Sequence, residues 1–444
     1  MNKKVRNTLF TVGRVAGTFI LCLWAILFFP DPFLNMFVKP GIESAFGSAY
    51  TIRIEDMSYS VMKNRFTFDS VVAGSADSSL GGRIGSFSVG GVDWMHLLWG
   101  GELKADDFDG ADVYAESILL NSPKSPYALR CEQLSVSVPD SQLTINALKV
   151  HPAGDDDQFF EESEFRQTRL RLLAPHSSAA GVDWIGVMKG TAYRVRSIRI
   201  LDAILDVRVN KDKPGATERP SPLMPNDLLS SIGKALRVDH LAVLNGSAIY
   251  SESLAPNVEP AVITFDSLQI SAEGIASHGD PGSVMILRAQ GILANAGRAE
   301  VVISIPAAAP EFSLRYSGSL SSMDLSALNS FLEPVEFMRI KEGDLQEATF
   351  QIDVVSGRAL GSLRGIYKDL TIASIDKKTG SEKGLSDKLT SFLANSFKIH
   401  GTNVPDQPES FRIGKVKYVR NRDDTFIQFV WYALRTGVQD VVGL

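Results

Sequence analysis

The sequence predicts a mainly β protein: a single N-terminal transmembrane helix, an elongated, curled antiparallel β-sheet groove with short connecting helices, and a C-terminal amphipathic helix. Three observations carry this expectation. Beyond Phe46 the dominant hydrophobic pattern has period two, as in Leu134-Ser-Val-Ser-Val138, Phe312-Ser-Leu-Arg-Tyr316 and Thr349-Phe-Gln-Ile-Asp-Val354, the mark of half-buried strands. One apolar run, Leu9 to Phe29, has 21 residues, enough to span a bilayer. The last segment places Phe426, Phe429, Val430, Ala433, Leu434, Gly437, Val438 and Val441 on one helical stripe.

The apolar run carries one charge, Arg14, near its start, where a long side chain snorkels to headgroups. It meets Pro30-Asp31-Pro32 with no small-residue cleavage site beside it, which favours an uncleaved anchor over a signal peptide. Lys3, Lys4 and Arg6 precede the run, whereas Asp31, Lys39 and Glu43 follow it. The positive-inside bias puts the N-terminus in the cytoplasm and everything after Pro30 across the membrane. In a bacterium with two membranes this makes a single-pass inner-membrane protein with a periplasmic body.

Short strand-like runs recur along the body, separated by Gly, Asn, Asp or Pro. One repeat stands out: Gly91-Val92-Asp93-Trp94 closed by Gly100, and Gly181-Val182-Asp183-Trp184 closed by Gly190, at an offset of 90 residues. An Asp N-cap, a short apolar turn and a terminal glycine describe a small helix, with strands expected from Leu103 and Tyr193. Looser versions begin at Asn226-Asp227 and at Asp324-Leu325, so the body reads as about four units of helix plus strands.

The expected organisation is 1–30 basic stub and anchor, 31–210 and 228–425 β-groove units, 211–227 a stiff Pro-rich connection, and 426–444 the C-terminal helix. A helix is also expected from Leu385, Leu389, Phe392, Leu393 and Phe397. The acidic stretch Pro152–Glu164 lacks the spacing of a known calcium loop and reads as a solvated acidic loop. In the C-terminal helix Phe426, Phe429, Val430, Trp431, Leu434 and Val438 form a docking surface, whether for the end of the sheet, a membrane or a partner.

Composition narrows the functional classes. Four of the 45 basic residues precede Pro30, leaving 41 against 51 acidic residues, a body charge of −10 that disfavours nucleic-acid partners. Two cysteines, Cys22 and Cys131, support neither a disulfide framework nor structural zinc. No two glycines are spaced G-x-G, no phosphate loop or nucleophile elbow occurs, and the six histidines are scattered. Nothing gathers an acid, a base and an oxyanion site, so the expectation is not an enzyme, with no catalytic, cofactor or metal residues.

In the alternating strands one face is aliphatic and must be covered. A closed β-sandwich does this with a second sheet, which would make the protein a non-transporting envelope scaffold or assembly factor. A curled trough instead leaves Leu134, Val136, Val138, Phe312, Leu314, Tyr316, Phe350, Ile352 and Val354 as an apolar wall for a greasy ligand.

The single span, the Asp-Trp repeat, Asp324-Leu-Ser-Ala-Leu-Asn-Ser-Phe-Leu-Glu-Pro334, Gly343-Asp-Leu-Gln, Gly365-Ile-Tyr-Lys-Asp-Leu370, Gly414-Lys-Val-Lys-Tyr418 and Phe429-Val-Trp-Tyr-Ala-Leu-Arg-Thr-Gly437 resemble the AsmA-like family of bacterial envelope proteins. Its TamB-like and chorein-type relatives are repeating β-grooves that carry phospholipid acyl chains. The resemblance implies lipid transfer or outer-membrane maintenance, with phospholipid or another acyl-chain lipid, the inner membrane and envelope proteins as partners. About 18 to 20 strands at ~4.8 Å give a trough of about 90 Å, short for a periplasmic bridge without a partner or self-assembly.

Overall fold

The computed structural model describes residues 31–40, 43, 50–77, 80–92, 105–123, 125–161, 163–215, 221–233, 235–255, 258–277, 283–306, 311–375 and 399–443. The expected anchor at 9–29, the helix at 385–397 and residues 93–104 of the first Asp-Trp repeat lie outside these residues. The chain is mainly β, 58% strand and 16% helix. Among the described residues no helix is long and apolar enough to cross a membrane. Two compact units divide it, Met1–Leu148 and Lys149–Leu444.

The first unit is an antiparallel sheet of β1 (Tyr50–Arg53), β2 (Asp56–Ser60), β3 (Arg65–Ser75), β4 (Gly81–Gly90), β5 (Asp112–Asn121) and β6 (Tyr127–Ser137). Strands β1 and β2 share one edge of β3, and β4, β5 and β6 follow in order on the other. Ser70 and Ser117 adopt left-handed φ of 50° and 54° inside β3 and β5. Gly85 of β4 lies between them, where an added Cβ would stand 2.9 Å from the Ser117 Cβ. The pairing skips Ser70, Gly85 and Ser117 with no shift of register, and the apolar positions change parity across this line. Before it the apolar positions are Phe66 and Phe68 with Phe87 and Val89; beyond it they are Val71 with Ile84 and Ile118 with Cys131. Strand β7 (Gln142–Pro152) carries the chain across the division at Leu148.

The second unit begins with helix α1 (Asp156–Glu161) and β8 (Thr168–Ala180). The Asp-Trp motif then forms α2 (Trp184–Lys189): Asp183 Oδ1 accepts from the Gly186 N–H at 2.9 Å and Gly190 ends the helix at φ 60°. Gly91 and Gly181, the first residues of the two motif copies, share a φ of 68°, and Val92 and Val182 after them are both buried. After the first copy, Ala105–Phe108 forms a 3-10 turn and the next described strand starts at Asp112, the expected start at Leu103 lying outside the described residues. After the second, β9 (Ala192–Leu201) follows at once.

Strands β9 and β10 (Ile204–Asn210) lie end to end, broken at the left-handed Asp202, and both pair antiparallel with β8. On their other side both run parallel to the 19-residue β11 (Ala235–Ser253). The sheet is therefore mixed, where a wholly antiparallel one was expected. The parallel pairing needs a long crossover, and residues 211–234, containing the Pro-rich connection and α3 (Pro225–Ser230), supply it. That connection thus lies inside the second unit.

An antiparallel run follows: β12 (Ala261–Ala276), β13 (Val284–Leu293), β14 (Gly297–Pro306), β15 (Leu314–Leu320), the two-residue β16 (Met323–Asp324), then β17 (Met338–Val355), β18 (Arg358–Ser374) and the edge strand β19 (Gly414–Val419). Asp324 caps a 3-10 turn through the Ser326 N–H at 2.8 Å, leading into α4 (Asn329–Glu336). Helix α5 (Phe426–Val442) starts at a Thr425–Gln428 capping box and ends at Gly443, φ 82°.

Candidate functional site

The registers of the first unit align its side chains in rows. Tyr59, Phe66, Val89, Val113 and Val136 are successive cross-strand neighbours, and so are Met57, Phe68, Phe87, Ala115 and Leu134. Directly opposed residues project from the same face, so these rows form one apolar surface. Its aromatic rings are in contact: Tyr59 and Phe66 at 4.4 Å, Phe66 and Phe68 at 6.3 Å, Phe68 and Phe87 at 5.9 Å. The intervening row, Ser58, Thr67, Ser88, Tyr114 and Ser135, is polar and belongs to the opposite face. There the Tyr114 hydroxyl donates to Glu116 at 2.6 Å, and that bond raises the phenol pKa. Leu134 and Val136 are half-buried neighbours on the apolar face, whereas Val138, also half-buried, lies just past β6 with its N–H bonded to the Ala111 carbonyl.

The other expected wall residues meet in the second unit. Leu314 opposes Val354, Tyr316 opposes Ile352, and Phe350 opposes Gly318, whose missing Cβ makes room for the Phe350 ring. Here the wall is a packed core. Phe312, Leu314, Tyr316, Ile352 and Val354 are all buried, and helix α5 lies over them. Phe429 is fully buried, its ring 5.0 Å from Phe312 and 5.7 Å from Tyr418. The Tyr316 hydroxyl is buried without a hydrogen-bond partner, and burial raises its pKa.

The stripe on α5 divides into three levels. Phe429, Ala433, Gly437 and Val441 are buried; Phe426, Val430, Trp431 and Leu434 are half-buried; Val438 is 42% exposed and takes no part in the packing face. The contact is narrow because the helix approaches β19 through two glycines. A Cβ on Gly414 would stand 2.1 Å from the Gly437 carbonyl oxygen, and one on Gly437 would stand 2.7 Å from Val416. Trp431 packs edge-on against Phe331 of α4, and Arg435 pairs with Glu336 at 2.7 Å.

Side chains also occupy the free strand edges at β19 and at β2. At β19 the outward N–H groups of Lys415 and Lys417 donate to Asp440 at 2.8 Å and Thr436 at 3.1 Å. At β2 the Asn35 amide mimics a strand: Nδ2 donates to the Met57 carbonyl at 2.8 Å and Oδ1 accepts the Met57 N–H at 3.0 Å. Asp31 accepts the Tyr59 N–H at 2.9 Å. Each device blunts an edge that would otherwise add strands from another chain. Sequence periodicity carries no trace of them, because a side chain that copies a peptide group has no repeat.

The acidic stretch is structural. Asp155 caps α1 through the Gln158 N–H, and Asp156 with Asp206 brackets the buried Arg169 at 3.3 and 2.6 Å. Lys211 and the buried Glu252 pair at 2.7 Å, and the Tyr250 hydroxyl donates to Glu252. Cys131 is buried, its thiol donates to the Gln133 carbonyl, and burial raises its pKa, which disfavours the reactive thiolate. Among the described residues no three His, Cys, Asp or Glu side chains converge as a metal site.

No protein-family model matches the chain, and no curated protein matches it in sequence. The likeness to AsmA-like proteins therefore rests on the short motifs quoted above.

Proposed function

We propose that this chain is a membrane-anchored envelope protein of AsmA-like type whose first unit binds lipid acyl chains on its apolar sheet face and serves lipid transfer or outer-membrane maintenance. The observation that carries this reading is the pair of unbroken apolar rows, Tyr59 to Val136 and Met57 to Leu134, backed by a serine-rich row on the opposite face. A five-strand row of half-buried aromatic and aliphatic side chains offers a strip along which an acyl chain can lie, held by area burial without directional bonds. Phospholipid is the ligand class that such a surface takes across a membrane from the basic stub, and the body is placed in the periplasm.

The second unit suits a different role. With its wall under α5 and its edge strand bonded to Asp440 and Thr436, it favours the scaffold reading for this part of the chain. Lipid binding is therefore assigned to the first unit and the scaffold role to the second. Photoactivatable phospholipid tests the assignment: cross-links should map to β3–β6 and not to β14–β18. Cross-links confined to the second unit, or none above a soluble control protein, would overturn it.

A further inference from the structure

The turn between β2 and β3 holds the most exposed large apolar side chain among the described residues. Met62 is 99% exposed and Val61 beside it 51%, with Lys63 also exposed. The turn is nonetheless held in place. Asn64, at φ 46°, accepts the Tyr59 hydroxyl at 2.8 Å and donates to the Val92 carbonyl at 3.0 Å, and its N–H bonds the Val61 carbonyl at 3.3 Å.

The segment that follows the apolar run fixes which way this tip faces. Asp31 bonds Tyr59, Asn35 bonds Met57, Lys39 bonds Glu55 and Glu43 bonds Ile54. As the chain advances from 31 to 43, its partners step back from 59 in β2 to 54 just before that strand, away from the tip. Asp31, the first described residue, therefore meets this unit at the tip end of the hairpin. Phe29, the last residue of the apolar run, is two positions from Asp31. On the anchored reading, a bilayer boundary at the end of that run falls within two residues of Asp31, which bonds Tyr59. Val61 and Met62 lie beyond it in the turn, at most about 7–10 Å further along at ~3.3 Å per extended residue. Interfacial apolar groups bury to about 5–10 Å, while a neighbouring lysine meets lipid phosphates.

We infer that Val61-Met62-Lys63 is a membrane-contact site that inserts into the interface of the leaflet holding the chain's own N-terminal anchor. This rests on the anchored reading above. The contact brings the first apolar row, which starts at Tyr59 and Phe66 directly behind the turn, to the acyl boundary of that leaflet, where a lipid passes onto the sheet without crossing water.

The test uses the full chain with Cys22→Ser and Cys131→Ser. One cysteine replaces Met62 or, as control, the exposed Ala76 at the far end of β3, and carries a polarity-sensitive fluorophore. The chain is reconstituted into phosphatidylcholine–phosphatidylglycerol vesicles with nitroxide-labelled phosphatidylcholine as quencher. Emission at position 62 should shift to the blue and be quenched severalfold more than at position 76. Equal quenching, in vesicles that retain the chain through an alkaline carbonate wash, would overturn the contact and leave the anchor standing. Release of the chain by that wash would overturn the anchored reading and this inference with it.

Discussion

Truncating Phe429 to alanine opens the closure of the second unit. The ring is fully buried between Phe312 and Tyr418, and a Phe→Ala change at such a site costs about 3–5 kcal/mol. Val438→Ala on the same helix, at a position 42% exposed, should stay within about 0.5 kcal/mol. The edge bonds give a local readout. Undocking α5 frees the Lys415 and Lys417 N–H groups from Asp440 and Thr436, and about 3 kcal/mol corresponds to a roughly hundredfold rise in amide exchange through local opening. Hydrogen–deuterium exchange over β19 with urea denaturation measures both. Phe429→Glu should fail in the same way, since its carboxylate has no water in that position. If Phe429→Ala and Val438→Ala exchange alike, α5 is not held by its Phe429 face and the core beneath it has been misassigned.

Further expectations follow from the same geometry. Asn35→Ala strips the buried Met57 of both edge bonds and should cost about 1–3 kcal/mol, seen as faster exchange at Met57 and Tyr59; unchanged exchange would contradict the strand mimicry. Tyr316→Phe removes a buried hydroxyl with no partner and should leave urea stability equal or higher; a loss above about 1 kcal/mol would show a hidden partner. Burial raises the phenol pKa of Tyr250, Tyr316 and Tyr418 and pushes Tyr367 up to about 12. The neutral phenols stabilise the fold fully below the unfolded tyrosine value of about 10, and that stability is lost as pH rises through the folded values. Tyrosinate absorbance of these four phenols should thus appear together with unfolding above pH 10, whereas their titration in a still-folded unit would refute their burial.

Much of the architecture was legible because strands declare themselves by local period. Phe312 to Tyr316 and Thr349 to Val354 read as alternating strands, and Leu314 and Tyr316 turn out to oppose Val354 and Ile352, while Phe312 sits in a bend just before β15. The Asp183 cap, Gly190 and the Asp324 turn were equally local. What escaped has physical reasons. Across the left-handed Ser70 and Ser117 the apolar positions change parity, so face assignment cannot be carried along the strand by counting. The parallel pairing of β9 and β10 with β11, as in Ile204 with Ser247 and Ala192 with Ala235, joins residues 43 positions apart through a Pro-rich segment that looks like a boundary. Helical period placed Val438 with Phe429, but the close Gly414–Gly437 approach narrows the contact and turns Val438 outward. Whether a one-faced strand meets its own helix, as at Ile352, or lines a surface, as at Val136, is decided by distant chain and leaves no mark on the strand.

Lipid occupancy of single-residue variants tests the central claim most directly. The full chain, with Val136→Asp on the apolar face and Ser135→Asp on the polar face, would be purified and its bound phospholipid counted per protein by mass spectrometry, with circular dichroism on each sample. A carboxylate on the apolar row raises the cost of seating an acyl chain by several kcal/mol, whereas at the exposed Ser135 it meets water. The wild type and Ser135→Asp should carry phospholipid in equal amount, and Val136→Asp, with its strand signal intact, should carry almost none. Equal occupancy in the folded variants, or no lipid on the wild type, would contradict acyl-chain binding by the first unit.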